Sequence, residues 1–228
     1  MNILMYENVI IIPYRRRESH LKSFIDDVVP LFRKYLTPFK LVIVEQEDGK
    51  LFNRGRLLNI AFTEYKDIAR FFITQDVDTC PLEDCVKKLY GNNLYDVLRI
   101  FNPHDSSLGG VCKLSRDAAF TMNGFPNHIW GWGIEDRALY YRGKISNVNM
   151  SLNLSNRNNF RILPHTTNVV TYTGENKIIS DLENEIFHCT DEERKRAHIL
   201  SSGLNVMEYT IIERTAIAND IELIKVYI

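Results

Sequence analysis

Two short acidic stretches are the residues best equipped to do chemistry. The first is Asp76-Val77-Asp78, which comes one residue after Arg70 to Thr74, a stretch that reads as a buried strand. In extended chain, residues two apart point to the same side, so both carboxylates face one cation at the strand end. Hard divalent cations take such oxygen ligands and commonly share one or two carboxylates with substrate phosphates. The competing reading is a solvated turn closed by an Asx hydrogen bond, and the position behind a buried strand favours the cation. The second stretch runs from Gly124 to Asp136 and holds both tryptophans, Trp130 and Trp132, each followed by a glycine. Flat faces on a glycine-rich backbone suit the C–H surfaces of a sugar ring and a loop that closes over substrate. Glu135 and Asp136 then open a helix that runs to about Arg142. In the plainer reading such carboxylates compensate the helix dipole. In a functional role they are a general base and an acid that holds an incoming hydroxyl.

The elements that must position these groups are legible in the first half. Val9 to Ile12 reads as a buried strand ended by Pro13. Residues 18–36 carry apolar side chains at helical spacing (Leu21, Phe24, Ile25, Val28, Leu31, Phe32), with Pro30 splitting or kinking the helix. Leu41 to Val44 is a second strand, Asp48-Gly49 a turn, Asn53 to Tyr65 a helix, and Arg70 to Thr74 the third strand. This alternation predicts a parallel sheet with crossover helices, and in such sheets ligands sit beyond the carboxyl ends of the strands. Tyr14 to Arg17, Gln46 to Arg54 and the Asp pair all fall there. The second half is less regular. Gly109 to Leu114 reads as a strand, and Ser115 as the N-cap of a short helix stopping at Asn123-Gly124. Residues 177–200 read as one charged helix, and Val206 to Arg214 and Ile221 to Ile228 as strands joined near Asn219-Asp220.

Bulk composition narrows the function. The 228 residues suffice for one large α/β domain, and the formal net charge of −1 argues against a polyanion-binding role, so no nucleic acid partner is expected despite Arg15-Arg16-Arg17. No segment approaches the roughly 20 apolar residues of a membrane span, and Met1 to Asn8 lacks the layout of a signal peptide. Cys80, Cys85, Cys112 and Cys189 match neither a paired zinc site nor a disulfide framework. Reduced thiols in a soluble, cytoplasmic protein are the expectation.

Taken together, Asp76-Val77-Asp78 and Trp130-Gly131-Trp132-Gly133-x-Glu135-Asp136 resemble the paired signature of the β-1,4-galactosyltransferases. Ile12-Pro13-Tyr14-Arg15-Arg16-Arg17 is similar to that family's I-P-F-R-x-R, and Phe52 to Asn59 to its F-N-R-x-x-L-x-N. Gly109-Gly110-Val111, Asn123 to Asn127 and Ser202 to Asn205 follow in family order. The resemblance spans about residues 9–214. It implies an α/β glycosyltransferase A fold, with a Rossmann-like, mostly parallel central sheet flanked by helices. It also implies a single catalytic domain over 1–228, with a nucleotide-sugar-binding half at about 1–107 and an acceptor-binding half at about 108–228. The implied activity is inverting transfer of a hexose, galactose first, from a UDP-sugar to a carbohydrate or glycoconjugate hydroxyl, with Mn²⁺ or Mg²⁺. By match, Pro13, Tyr14, Arg15, Arg17, Phe52, Arg54, Asp76 and Val77 take the nucleotide. Asp78 and His165 bind metal, Asp136 is the base, and Trp130, Trp132, Glu135 and Gly110 meet the sugars. Stacking of an aromatic ring on uracil and pairing of guanidinium groups with phosphate agree with these roles.

The chain departs from the family at three places. Ile162 and Leu163 stand where the family's further metal ligand falls, so fewer protein ligands are expected. Arg137 replaces a third acid, which favours an acidic acceptor. Ser107-Leu108 replaces an aromatic pair whose tyrosine limits the donor to galactose, which opens the alternative of an N-acetylgalactosamine donor. A sugar-binding module without turnover is the alternative of another class. The absence of the animal members' anchor and disulfides suggests a microbial or viral relative.

Overall fold

The structure, a computed structural model, describes residues 6–47, 49–101, 104–131, 133–152, 157–164 and 174–228. In chain order its elements are β1 (Tyr6–Tyr14), α1 (Glu18–Asp27), α2 (Val29–Tyr35), β2 (Phe39–Gln46), α3 (Arg54–Tyr65), β3 (Ala69–Gln75) and β4 (Thr79–Pro81). There follow α4 (Glu83–Cys85, running into a π-helical turn, Val86–Tyr90), β5 (Val97–Phe101), β6 (Val111–Ser115), α5 (Arg116–Thr121), α6 (Glu135–Ile145), β7 (Met150–Ser151) and β8 (Phe160–Ile162). The last are α7 (Gly174–His188), α8 (Glu192–Leu200), β9 (Thr210–Ala218) and β10 (Ile221–Tyr227).

The apolar runs become the centre of an eight-stranded sheet of order β7-β5-β6-β3-β1-β2-β10-β9. β3, β1, β2 and β10 are mutually parallel, while β6 and β9 run antiparallel to their inner neighbours. The inner strands are buried on both faces because helices cover both. Ile10, Ile12, Leu41 and Ile43 pack with Phe24, Phe32 and Tyr90 on one side. Val9, Ile11, Val42, Val44 and Phe72 pack with Phe62, Phe125 and Leu139 on the other. Each such side chain contributes about 1.5–3 kcal/mol, so the carboxyl ends of the inner strands are held by well-buried packing on both faces.

Several expectations need correction. Pro13 lies within β1 instead of ending it: pairing with β2 continues through Pro13↔Val44, whereas pairing with β3 stops at Ile11↔Thr74. The missing N–H therefore falls where the β3 ladder has ended. The helix expected over 177–200 is two helices, because the Asp191 carboxylate accepts from the Arg194 amide at 3.0 Å and caps a new one. The last hairpin starts at Thr210, after a short 3₁₀ turn at Leu204–Val206. Pro30 does split the first helical region, sitting in the first turn of α2, where a missing amide is tolerated. Ser115 caps α5, accepting from the Ala118 amide at 3.1 Å. Asp48 lies outside the described residues, and its neighbour Gly49 has φ of 119°. No helix among the described residues is long and apolar enough to cross a membrane.

Candidate functional site

The Asp76-Val77-Asp78 segment is a turn between β3 and β4, closed by the Thr79 amide on the Asp76 carbonyl at 3.1 Å, and not extended chain. Its shape is set from beneath. The buried Gln75 amide donates to the carbonyls of Asp76 and Thr79 at 2.8 and 2.7 Å, and the Tyr90 hydroxyl donates to Gln75 Oε1 at 2.5 Å. Val77 is buried and anchors the turn in the core, leaving its two acids half-buried.

Arg54, the first residue of α3, lies between the two acidic stretches. Its Nε donates to Asp76 Oδ1 at 2.9 Å and its Nη1 to Asp136 Oδ1 at 2.7 Å. One guanidinium thus joins two acidic clusters 60 positions apart in the chain, Asp76 and Asp136. Burial alone would lower the Arg54 pKa, but the charges of Asp136, Asp76 and Glu135 outweigh it and hold the group above its ordinary value. Burial raises the Asp76 carboxyl to about 6; Arg54 opposes this, and the neighbouring charges of Asp136 and Asp78 add to it. Glu135 is buried with Oε2 unpaired, and burial followed by the Asp136 charge pushes its carboxyl well above the ordinary range. A carboxyl kept protonated in this way can donate to a sugar oxygen.

The arginines after β1 diverge because Arg16 adopts a left-handed φ of 49°. Arg15 lies over the Phe52 ring, 5.3 Å from its centroid, and donates to the Lys50 carbonyl at 2.7 Å. Arg17 Nη1 stands 3.6 Å from Asp78 Oδ2, buried and without a hydrogen bond. A protein cation beside the Asp78 carboxylate marks a position suited to positive charge. The donor set is hard oxygen, which fits a divalent cation completed by phosphate or water. Among the described residues, no group of three or more His, Cys, Asp and Glu is arranged to hold a metal. Pro13 and Tyr14 are buried at the end of β1, and burial raises the Tyr14 hydroxyl pKa. Leu163 pairs with Asp78, amide to carbonyl, at 2.8 Å. His165, like Trp132, lies outside the described residues.

The opposite wall is irregular. Gly131 and Gly133 have φ of 83° and 103°, and Ile134, the residue before α6, has φ of 65°. A β-branched residue in that region is strained by about 1–3 kcal/mol, so the surroundings must impose it. The Gly131 amide donates to the Phe52 carbonyl at 2.8 Å, and Asn176 on α7 donates to the Trp130 carbonyl at 3.2 Å. Trp130 borders a cavity of about 410 Å³ that Lys50, Leu51 and Glu175 also line.

This arrangement is matched among known proteins. Residues 3–92 match the model of the N-terminal region of glycosyl transferase group 7, and residues 94–166 match that of the N-terminal domain of galactosyltransferase. The chain belongs to the β-1,4-galactosyltransferase family. β-1,4-galactosyltransferase 2 of Cricetulus griseus is 33% identical over 172 residues, 68% of this chain and 45% of the relative. β-1,4-galactosyltransferase 1 of Bos taurus is 28% identical over 212 residues, 90% of this chain and 50% of the relative. The chain therefore spans about half the length of these curated family members. Drosophila β-1,4-galactosyltransferase 7, solved as a mutant complex with manganese, UDP-Gal and xylobiose, superposes with a TM-score of 0.77 at 20% identity, covering 98% of this chain and 94% of that one. Staphylococcus aureus TarS in complex with UDP-GlcNAc gives 0.59 at 13% identity, over 85% and 70%. These likenesses establish the glycosyltransferase A fold.

The family motifs hold residues whose structural task was not apparent from sequence. Asn53 caps α3 through the Arg56 amide at 2.9 Å and reaches the Asn127 carbonyl at 2.8 Å. Asn59 binds both the Phe125 carbonyl and amide, at 2.7 and 2.8 Å. Arg142, buried on α6, donates to the carbonyls of Asn123, Gly124 and Ser202. A signal did exist: Asn59 interrupts an apolar helix stretch, and a polar side chain there must find buried partners.

Proposed function

We propose that this chain is an inverting hexosyltransferase that moves galactose from a UDP-sugar to a carbohydrate hydroxyl. The observation that carries the reading is the Arg54 bridge between Asp76 and Asp136. It joins the edge where a nucleotide diphosphate belongs, beyond the strand ends, to the start of α6, where a base belongs. The half at about 1–107 takes the nucleotide through Pro13, Tyr14, Arg15, Arg17, Phe52, Arg54, Asp76 and Val77. The half at about 108–228 takes the sugars through Trp130, Trp132, Glu135 and Gly110. Asp78, with His165, would hold Mn²⁺ or Mg²⁺, which when bound supplies positive charge to the departing diphosphate. The acceptor hydroxyl attacks the anomeric carbon from the face opposite UDP, so the configuration inverts. Asp136 Oδ1 is held by Arg54, which leaves the second carboxylate oxygen to receive the hydroxyl proton. Glu135 orients the hydroxyl-bearing ring beside it.

A second reading concerns the donor. Leu108 is wholly buried in the core and Ser107 is small, so no bulky ring precedes Gly109-Gly110 to exclude an N-acetyl group. A UDP-release screen tests both, with UDP-galactose and UDP-N-acetylgalactosamine against a panel of sugar acceptors, in Mn²⁺, Mg²⁺ or EDTA. Acceptor-dependent release that EDTA abolishes is expected. Binding of UDP-sugars without release on any acceptor would make the chain a sugar-binding module instead.

A further inference from the structure

Arg99 lies on β5, is 3% exposed, and has a guanidinium that serves no sheet hydrogen bond. The pairing with β6 shifts register between Arg99 and Phe101, and such irregularities re-aim side chains at the edges of sites. Arg99 Nη1 donates to the carbonyls of His104, Asp105 and Ser107 at 3.0, 2.7 and 3.3 Å, and Nη2 donates to the Leu152 carbonyl. Four carbonyls around one cation is a charge-assisted clamp, and three of them belong to the irregular chain just ahead of Gly109-Gly110. That chain touches the candidate base directly: the Leu108 amide donates to the Asp136 backbone carbonyl at 3.1 Å, while the Leu108 side chain is wholly buried in the cluster that includes Leu139 of α6. At the far end of the loop, Gly110 has φ of 68°, and a Cβ there would stand 2.5 Å from the Phe101 carbonyl oxygen. The loop is thus closed at both ends, by Arg99 and by a position that only glycine fits.

We infer that Arg99 is a positioning residue for the transfer reaction: by clamping residues 104–108 it fixes Leu108 against Asp136 and sets where the base stands relative to Arg54. This rests on the proposed hexosyltransferase activity, in which Asp136 is the base. Among the described residues, the Arg99 guanidinium bonds neither the proposed nucleotide residues nor the Asp76–Asp78 turn, so its effect falls on turnover and not on nucleotide binding. It also gives a reason for arginine at this point of β5. A lysine offers one ammonium in place of a planar fork and reaches fewer of the four carbonyls.

The test uses Arg99→Met and Arg99→Lys in the full chain, reading hydrogen exchange at the Leu108 amide and steady-state UDP release. In Arg99→Met, Leu108 exchange accelerates by about tenfold or more while the amides of Ile10 to Ile12 keep their protection. In the same variant kcat falls about tenfold and KM for the UDP-sugar moves less than about twofold, because misplacement at the base leaves nucleotide binding alone. Arg99→Lys restores part of both effects. Wild-type exchange at Leu108 in Arg99→Met overturns the inference, whatever the activity. So does a loss of protection shared equally by Ile10 to Ile12, which would make Arg99 a general prop of the fold. A wild-type chain that releases no UDP defeats the proposed activity instead, and the Leu108 exchange still decides whether the clamp exists.

Discussion

On the side proposed to take the nucleotide, Tyr14, Gln46 and Gln75 are the last residues of three adjacent parallel strands, and the groups that follow them inherit their positions from the buried centre of the sheet. On the other side, Asp136 stands at the start of α6 after Gly131, Gly133 and Ile134, all at positive φ, and its place depends on side chains that hold backbone. Asn53 and Asn59 pin the 125–127 stretch, Arg142 pins 123–124, and Arg99 pins 104–107. The first side is rigid because hydrophobic burial has already fixed it. The second is a set of buried polar bonds, each costly to break, around a backbone that would not hold its shape unaided.

The largest expected effect separates the two sides in one substitution. Asp136→Asn lowers turnover by about 10²-fold or more, near 2.7 kcal/mol, while UDP affinity by calorimetry stays close to wild type. Near-normal turnover in that variant would remove the base from this wall. Next, Arg54→Met takes away the cation shared by both sides. The carboxylates it leaves are a quarter to a third exposed, so the cost after solvent screening is about 2 kcal/mol in urea unfolding. An unchanged midpoint would mean that the bridge contributes nothing.

Much of the first side was legible beforehand and little of the second. Val9 to Ile12 and Leu41 to Val44 announce strands because buried parallel strands are continuous apolar runs, and Arg70 to Thr74 holds a shorter one in Phe71 to Ile73. β5 did not announce itself, since its buried Arg99 breaks such a run. The break at Cys189 to Asp191 hid within a charged periodic stretch because the Asp191 cap looks like one more surface acid. The convergence of Asp76 and Asp136 was implied only by the paired motifs. Arg54 as the link between them cannot be read from spacing, because it depends on where α3 begins relative to two distant turns.

Smaller effects sharpen the contrast. Asn59→Ala strips partners from the Phe125 amide and carbonyl and costs about 1.5 kcal/mol of stability. The loss should appear first as faster exchange in residues 124–128, with β1 protected. If β1 exchange rises equally, the second side is not separately held. The smallest is a slope with pH. Burial lowers the pKa of His128, with Arg142 and His198 adding and Glu183 opposing. Below its ordinary value of 6.5 the unfolded chain therefore binds this proton more readily than the folded one. Stability falls as pH drops through that window, and His128→Gln flattens the fall. A variant with the wild-type slope would place the titration elsewhere.

The Asp76–Asp78 turn and the start of α6 are joined through Arg54 and should face one cleft. Paramagnetic broadening by Mn²⁺–UDP in an amide NMR spectrum tests it without any need for turnover. The Asp78 and Asp136 amides should broaden together on titration, while those of β9, at the far edge of the sheet, stay sharp. Broadening at Asp78 with Asp136 left as sharp as β9 would contradict it.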